Sequence, residues 1–551
     1  MSRPFPLFVL AVGLALPRVD LAAQSEAPAN WFNLDPTSDK VAGVGTERIY
    51  GELLAGKEGA PVIVAIIDSG VDAEHEDLRD VMWVNEGEIP DNGVDDDGNG
   101  YVDDVHGWNF IGGSDGRNVG PDNLEVARVY AALREKYADR DAASISRRER
   151  GEYERFKEVE QAVTEKRADL EQQRSRYADI LAIFNELTGE LGDDFTPEEL
   201  AAFETDDERL RMGKGILANA MANGATVSEM RAELEGAEEY YADALAYNWN
   251  PDFDPRAEIV GDDYADARET GYGNNDVEGP DAFHGTHVAG IVAAVRGNGV
   301  GIDGVADNVR IMSLRAVPDG DERDKDVANA IRYAVDNGAK VVNMSFGKGY
   351  SWDKEVVDEA VRYAAKNDVL LVHAAGNSSQ DNDATDNFPN DAYERRGLFK
   401  FLQRKYPDNW IEVGALDWKP GEEAVARFSN YGRAGVDIFS PGVDIYSTVP
   451  DDGYGAASGT SMASPVTAGV AALLRSYFPE LDADEVKEII LESGTRQHGR
   501  MVKLPGSGDL VDFGDLSATG AILNAYDAVK LAQRETGRPG GVLANGKIPR
   551  A

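Results

Sequence analysis

Three short stretches of this chain hold residues whose types could do chemistry together. They are an aspartate in "IIDSGVD" (Ile66–Asp72), a histidine in "FHGTHVAG" (Phe283–Gly290) and a serine in "GTSMASP" (Gly459–Pro465). A serine hydroxyl is a poor nucleophile until a base takes its proton. That base serves best when a carboxylate holds its ring in the right tautomer. Asp68, His284 and Ser461 supply these three roles, each from a turn of glycine and small residues. Ser461 follows a small-residue turn that opens a helix, where free N–H groups and the helix dipole favour negative charge. A serine at a helix start is by itself usually only a cap; the set carries the argument. His287 lies three residues after His284, which also allows a metal pair, but "HGTH" lacks the glutamate of a metalloprotease helix. His287 is therefore expected to be structural.

These residues act only if the elements around them bring them together. "APVIVAIIDSG" (Ala60–Gly70) is a continuous apolar run, which suits a strand buried on both faces that delivers Asp68 at its carboxyl end. "VRIMSLRAV", "KVVNMSFG" and "DVLLVHAAGN" read as further strands. Between them, "DKDVANAIRYAVDNG" and "SWDKEVVDEAVRYAAKN" carry apolar residues at helical spacing, and Gly338 closes the first as a C-cap. Alternating strand and helix predicts an α/β fold with a doubly wound, mostly parallel sheet flanked by helices. Ligands of such sheets bind outside the carboxyl ends of the strands, where Asp68, Ser345 and Asn377 emerge.

Residues 120–250 have a different character. Charged residues dominate, and Phe156, Val159, Val163, Leu170, Tyr177, Ile180, Phe184 and Leu187 form one narrow apolar stripe. Thr196 before Pro197 reads as an N-cap, and "TVSE" at 226–229 as a capping box. A large helical or coiled-coil insertion is expected, decorative or serving as a gating or partner-binding arm. The remaining divisions are a leader at 1–23, an N-terminal segment at 24–59, the α/β domain at 60–119 and 251–535, and a flexible tail at 536–551. The leader has Arg3 before an apolar run from Pro6 to Pro17 and reads as a secretory signal peptide, which predicts export to the periplasm or medium. No later apolar run approaches the length of a membrane span, so no membrane insertion is expected after signal removal.

The 551 residues include 55 basic and 100 acidic ones, a formal charge of −45. Such a surface repels phosphate backbones, so nucleic acid is not an expected partner. With no cysteine, disulfides, zinc–thiolate sites and cysteine nucleophiles are excluded.

The three blocks resemble the catalytic blocks of the subtilisin-like serine proteases (the subtilases), in the chain order Asp, His, Ser that subtilisin has. "VVNMSFG" resembles that family's substrate-binding strand, "HAAGN" its oxyanion-hole segment and "FSNYG…DIFSPG" its pre-nucleophile region. The resemblance implies a subtilisin-like fold and hydrolysis of polypeptides through an acyl-enzyme. It implies that Asp68 orients His284, that His284 is the base and then the acid, and that Ser461 is the nucleophile. Asn377 and the Ser461 N–H would bind the oxyanion. Ser345, Phe346 and Gly347, with Ala374, Ala375 and Gly376, would form walls along which a peptide lies extended. Phe346 and the small second wall suggest an apolar P1 pocket. His373 would line that pocket or pack, while His75, His106 and His498 sit among polar residues and are expected to be exposed.

"DNGVDDDGNGYVDD" (Asp91–Asp104) holds six aspartates in fourteen residues. Asp95, Asp97 and Asn99 fall at positions one, three and five of an EF-hand-like loop, with Gly100 at six, the Tyr101 carbonyl at seven and Asp103 at nine. Position twelve is His106, so the loop is no EF-hand, and Asp104 is the substitute ligand. An all-oxygen set fits calcium. The resemblance adds a second calcium site from Asp77, Asn298 and the carbonyls of Val300 and Ile302. No organic cofactor is implied. Two other readings stay open: a dedicated processing protease with one protein substrate, and a catalytically silent binding protein on the same scaffold. The family's large inhibitory propeptide has no obvious counterpart in this sequence.

Overall fold

The computed structural model describes residues 27–394 and 405–537; the expected leader and nearly all of the expected tail fall outside them. The described chain forms two units, one from residues 126–253 and one from the segments on either side.

The larger unit is built on a nine-stranded sheet. Its strands in chain order are β1 Val62–Asp68, β2 Gly107–Asn109, β3 Val309–Arg315, β4 Val341–Met344, β5 Leu370–Ala374, β6 Trp410–Leu416, β7 Ile438–Pro441, and two short strands at Thr495–Arg496 and Ala521–Ile522. Across the sheet the order is Thr495–Arg496, Ala521–Ile522, β7, β6, β5, β4, β1, β3, β2. Every pairing is parallel except that between the two short strands. β1 lies between β4 and β3, so the winding changes direction there and Asp68 ends the strand at the switch point, the usual ligand position of such sheets. All seven residues of β1 except Ile63 are buried, as its continuous apolar run predicts.

One apolar layer lies on each face. The first contains the helices Phe283–Ala293 and Thr460–Tyr477 together with Trp31 and Phe32 of the N-terminal segment, both fully buried. The second contains the helices Asp324–Asp336 and Lys354–Lys366. These two helices match the stretches read from periodicity, and Gly338 follows the first in the left-handed conformation at φ +83°. A hairpin of β8 Ile445–Val449 and β9 Gly453–Ala457 stands apart from the main sheet.

The smaller unit is helical. A 42-residue helix, Arg150–Leu191, packs on Glu208–Ala222 and Val227–Asp243 through Ile183, Phe184, Leu187, Leu210, Leu217 and Met230. Phe156, Val159, Val163 and Leu170 of the expected stripe are buried, while Tyr177 and Ile180 are half-buried. Thr196 and Thr226 each close a reciprocal capping box, with Glu199 and Glu229. No described helix is long and apolar enough to cross a membrane.

Candidate active site

Asp68 is buried at the end of β1, and its Oδ1 accepts the His284 Nδ1–H at 2.6 Å. That bond fixes the tautomer with Nε2 free to take a proton. It is possible because Gly285 follows His284: a methyl group there would lie 2.1 Å from the Gly70 carbonyl oxygen, so only glycine lets the helix Phe283–Ala293 approach the β1 turn. Burial pulls the His284 imidazole down, but the charge and hydrogen bond of Asp68 outweigh this and raise it above its ordinary value. One turn on, His287 is fully buried, and its Nε2–H is shared between the Ile445 and Gly455 carbonyls at 3.0 and 3.1 Å. Burial, then the neighbouring His284 charge, pushes it down to about 4, so it stays neutral and ties the helix to the β8–β9 hairpin.

Ser461 is the second residue of the helix Thr460–Tyr477. Pro465, four residues on, has no N–H, so the Ser461 carbonyl lacks its helical partner. Ser345 Oγ supplies one at 2.8 Å. Asn343 Nδ2 donates to Ser345 Oγ at 2.8 Å, and Ser464 Oγ donates to Asn343 Oδ1 at 2.7 Å, which locks the helix start to the end of β4. The Ser461 hydroxyl itself donates to the Ser345 carbonyl at 3.0 Å. Among the described residues no hydrogen bond joins it to His284.

Asn377 is exposed just beyond β5. Its Oδ1 accepts from the Thr460 N–H at 2.9 Å and the Thr460 hydroxyl at 3.0 Å. A backbone N–H can only donate, so the amide orientation is fixed and Nδ2, which has no hydrogen bond among the described residues, faces outward beside Gly459. Ser345–Gly347 and Ala374–Gly376 leave the carboxyl ends of the paired strands β4 and β5. The Phe346 ring is half-buried and meets His373 edge-on at 6.2 Å. His373 is fully buried and donates from Nδ1 to Glu412 at 3.0 Å.

In the acidic loop, the carboxylate oxygens of Glu88, Asp95 and Asp97 lie within 4.8 Å of one another. Glu88 did not stand out in the sequence, since it precedes the aspartate run. Asn99 Nδ2 donates to Asp97 and Asp104. The Asp103 carboxylate instead accepts the N–H groups of Asn92 and Gly93 at 3.1 and 2.8 Å, away from that trio. Asp104 is buried, bonded to Asn85 and Tyr333, and raised by burial. The Tyr101 ring packs edge-on against Trp108 and Tyr333.

At the other expected site, Asp77 is buried and raised by burial, and it accepts Asn298 Nδ2 at 2.6 Å and the Ile302 N–H at 3.3 Å. As a ligand Asn298 would present its Oδ1, which here accepts the Val300 N–H at 2.9 Å. The loop Asn298–Ile302 and Asp77 converge, with Val300 exposed. Next to them His75 corrects an expectation: it is fully buried, not exposed. Its Nε2–H donates to the Gly453 carbonyl at 3.0 Å, and its Nδ1 accepts the Asp77 N–H. Its polar sequence neighbours gave no sign of a β9 residue closing over it. His106 is half-buried, and His498 is exposed as expected.

The subtilase family model matches residues 59–508. The chain is 37% identical over 282 residues to a thermophilic serine proteinase of Bacillus sp. (strain AK1), covering 51% of this chain and 58% of that protein. It is 38% identical to subtilisin DY of Bacillus licheniformis over 38% of this chain and 70% of the relative. It is 35% identical to thermitase of Thermoactinomyces vulgaris over 44% and 77% of the two chains. The chain thus spans little more than half the length of the first of these relatives.

Proposed function

The chain belongs to the subtilase family, and from that premise we propose that it is an exported serine endopeptidase that cleaves polypeptides through Asp68, His284 and Ser461. The observation that carries this reading is the 2.6 Å bond from His284 to the buried Asp68, at the carboxyl edge of the sheet that also carries Ser345 and Asn377. Binding of an extended peptide along Ser345–Gly347 and Ala374–Gly376 requires the Ser461 hydroxyl to leave the Ser345 carbonyl. His284 Nε2 then takes its proton as Oγ attacks the scissile carbonyl, and Asp68 stabilises the imidazolium. The outward Nδ2 of Asn377 and the Ser461 N–H receive the oxyanion; one such donor is worth about 10²–10³ in turnover. His284 returns the proton to the leaving amine, and water completes hydrolysis of the acyl-enzyme by the same steps in reverse.

Calcium is the cation that the acidic loop suits: its donors are all oxygen, and Glu88, Asp95 and Asp97 already converge. Asn99, the Tyr101 carbonyl and Asp104 are the further donors expected of that loop, and Asp103 would join them only by releasing the Asn92 and Gly93 N–H groups. Asp77, Asn298 and the carbonyls of Val300 and Ile302 form a second oxygen set. Bound calcium supplies charge neutralisation and folding free energy and takes no part in the peptide chemistry. The reading of export rests on the leader-like sequence at 1–23.

Ser461→Ala tests the assignment. Peptide cleavage should fall by at least a thousandfold while the melting temperature stays within about 2 °C, since only one hydroxyl and its bond to Ser345 are lost. Cleavage near the original rate would refute Ser461 as nucleophile.

A further inference from the structure

Arg315, which the sequence did not single out, ends β3 beside the end of β1. It is the register partner of Asp68. The alternation that puts Val64, Ile66 and Ile311 in one apolar layer puts both of these side chains on that same face. The guanidinium is buried, and its three hydrogen bonds all go to uncharged oxygens. Nε donates to the Ser69 carbonyl at 2.9 Å, Nη1 to Asn109 Oδ1 at 3.2 Å and Nη2 to the Val119 carbonyl at 2.6 Å. Burial pulls the group down to about 10 against the opposing charges of Asp276 and Asp281, so it stays a cation at neutral pH. The Ser69 peptide that it holds acts on the carboxylate in turn. The Ser69 N–H donates at 2.8 Å to Asp68 Oδ1, the oxygen that accepts from His284. Asp276 and Asp281 belong to the loop that runs into the His284 helix, and that loop lies directly on the guanidinium: a methyl group on Gly279 would sit 2.2 Å from Arg315 Nε. The same loop is pressed onto the Asp68 turn. The Val277 carbonyl accepts the Val71 N–H at 2.9 Å, and a methyl group on Gly70 would sit 2.0 Å from the Glu278 carbonyl oxygen.

We propose that Arg315 is the positioning residue of the Asp68–His284 pair: its fork fixes the Ser69 turn and the Gly279 loop in the arrangement that permits their short bond. This rests on the peptidase reading and deepens it. A guanidinium presents its donors in one rigid plane to three separate acceptors. An ammonium keeps the charge without the fork, and an apolar side chain withdraws the donors from all three oxygens. Burial lowers the His284 imidazole, and the charge and bond of Asp68 raise it, so a loosened pair moves it down. Deleting a positive charge near it, with the pair intact, would move it up. The other groups facing His284 are Asp281, which also raises it, and the neutral His287.

The test is the rate at which a fluorophosphonate modifies Ser461 against pH, with kcat and KM for a succinyl-tetrapeptide anilide measured alongside on the full chain. Arg315→Met should lower kcat about tenfold or more with KM changed by less than about twofold. The midpoint of its labelling profile should fall from the native value towards the ordinary 6.5. If Arg315→Met does not fold, Arg315→Lys carries the test, since it keeps the buried charge. Its kcat should fall about threefold, again with a lower midpoint. In an Asp68→Asn background either substitution should cost less than about twofold more, because Arg315 acts through Asp68. A folded variant whose midpoint stays or rises overturns the proposal, as does an undiminished further loss in the Asp68→Asn background. If the native chain is neither labelled nor active, the peptidase reading fails separately. The pair is then judged by NMR titration of the His284 ring, and a midpoint no lower in the variant than in the native chain overturns the positioning role.

Discussion

Two carboxylate-rich regions of the larger unit solve the same electrostatic problem in opposite ways. Around the end of the first wall, buried acids are matched to buried bases within the chain. Lys348 Nζ, fully buried, lies 2.9 Å from Asp324 and 3.8 Å from Glu125, and it donates to the Glu322 carbonyl at 2.7 Å. Close in sequence, Arg323 pairs with Asp122 at 3.0 Å, and Arg256 pairs with Asp262 and Asp326 at 2.8 and 2.6 Å. The acidic loop has no such matching: from Asp80 to Asp115 there are ten acidic residues and no lysine or arginine. Its carboxylates are held by dipoles instead. Asp95 takes the N–H groups of Gly98, Asn99 and Gly100, and Glu88 takes those of Asp96, Asp97 and Asp103. Dipoles orient carboxylates but do not cancel their mutual repulsion, which is what the proposed cation would neutralise, while the Lys348 cluster is matched within the chain.

The largest effect should come from breaking the matched cluster. Lys348→Met leaves Asp324 and Glu125 buried without their cation, and denaturant unfolding should show a loss of about 3–5 kcal/mol. A loss below about 1 kcal/mol would mean that the cluster is not matched in the sense described.

Chelation acts on the other member of the pair. EGTA should lower the melting temperature of the native chain, since a cation present at a hundredfold over its Kd contributes about 2.7 kcal/mol. Combining Asp95→Asn with Asp97→Asn should remove most of that response. An unchanged melt would contradict cation binding at both oxygen sets.

The third effect is a slope. Burial pushes the Glu322 carboxyl up to about 8 from an ordinary 4.5, even though Lys348 pulls the other way. Between those values the folded chain holds a proton that the unfolded chain has released, so stability present below the lower value is lost as pH rises to the upper one. Glu322→Gln should flatten stability against pH in that window and leave the Lys348 contacts in place. An unchanged slope would place the proton elsewhere in the cluster.

What could be read from the sequence follows from how local each signal is. β1, the two helices after β3 and β4, the N-cap at Thr196 and the capping box at Thr226 rest on periodicity and near neighbours, and they emerge as read, with Glu199 completing a second box at Thr196. Asp68, His284 and Ser461 could be proposed from the sequence because each lies in its own short motif, and the structure bonds the first two although 216 residues separate them. Asn343 and Lys348 could not, because each acquires its role from a distant chain segment, and Glu88 was missed because it precedes the aspartate run that it joins. Asn343 matters through Ser464, 121 positions later, and Lys348 through Glu125, 223 positions earlier in the numbering. His75 misled for the same reason, since its partner in β9 is 378 residues away.

The central claim is that Asp68, His284 and Ser461 act as one nucleophilic unit. The most direct measurement is the rate at which a fluorophosphonate modifies Ser461 as a function of pH, with the modified peptide identified by mass spectrometry. The label should fall on Ser461, at a rate that rises with pH as His284 loses its proton. The midpoint should lie above the ordinary imidazole value of 6.5, because Asp68 stabilises the protonated ring. Asp68→Asn should slow labelling by about 10⁴. A folded chain that stays unlabelled, or one labelled equally fast without Asp68, would contradict it.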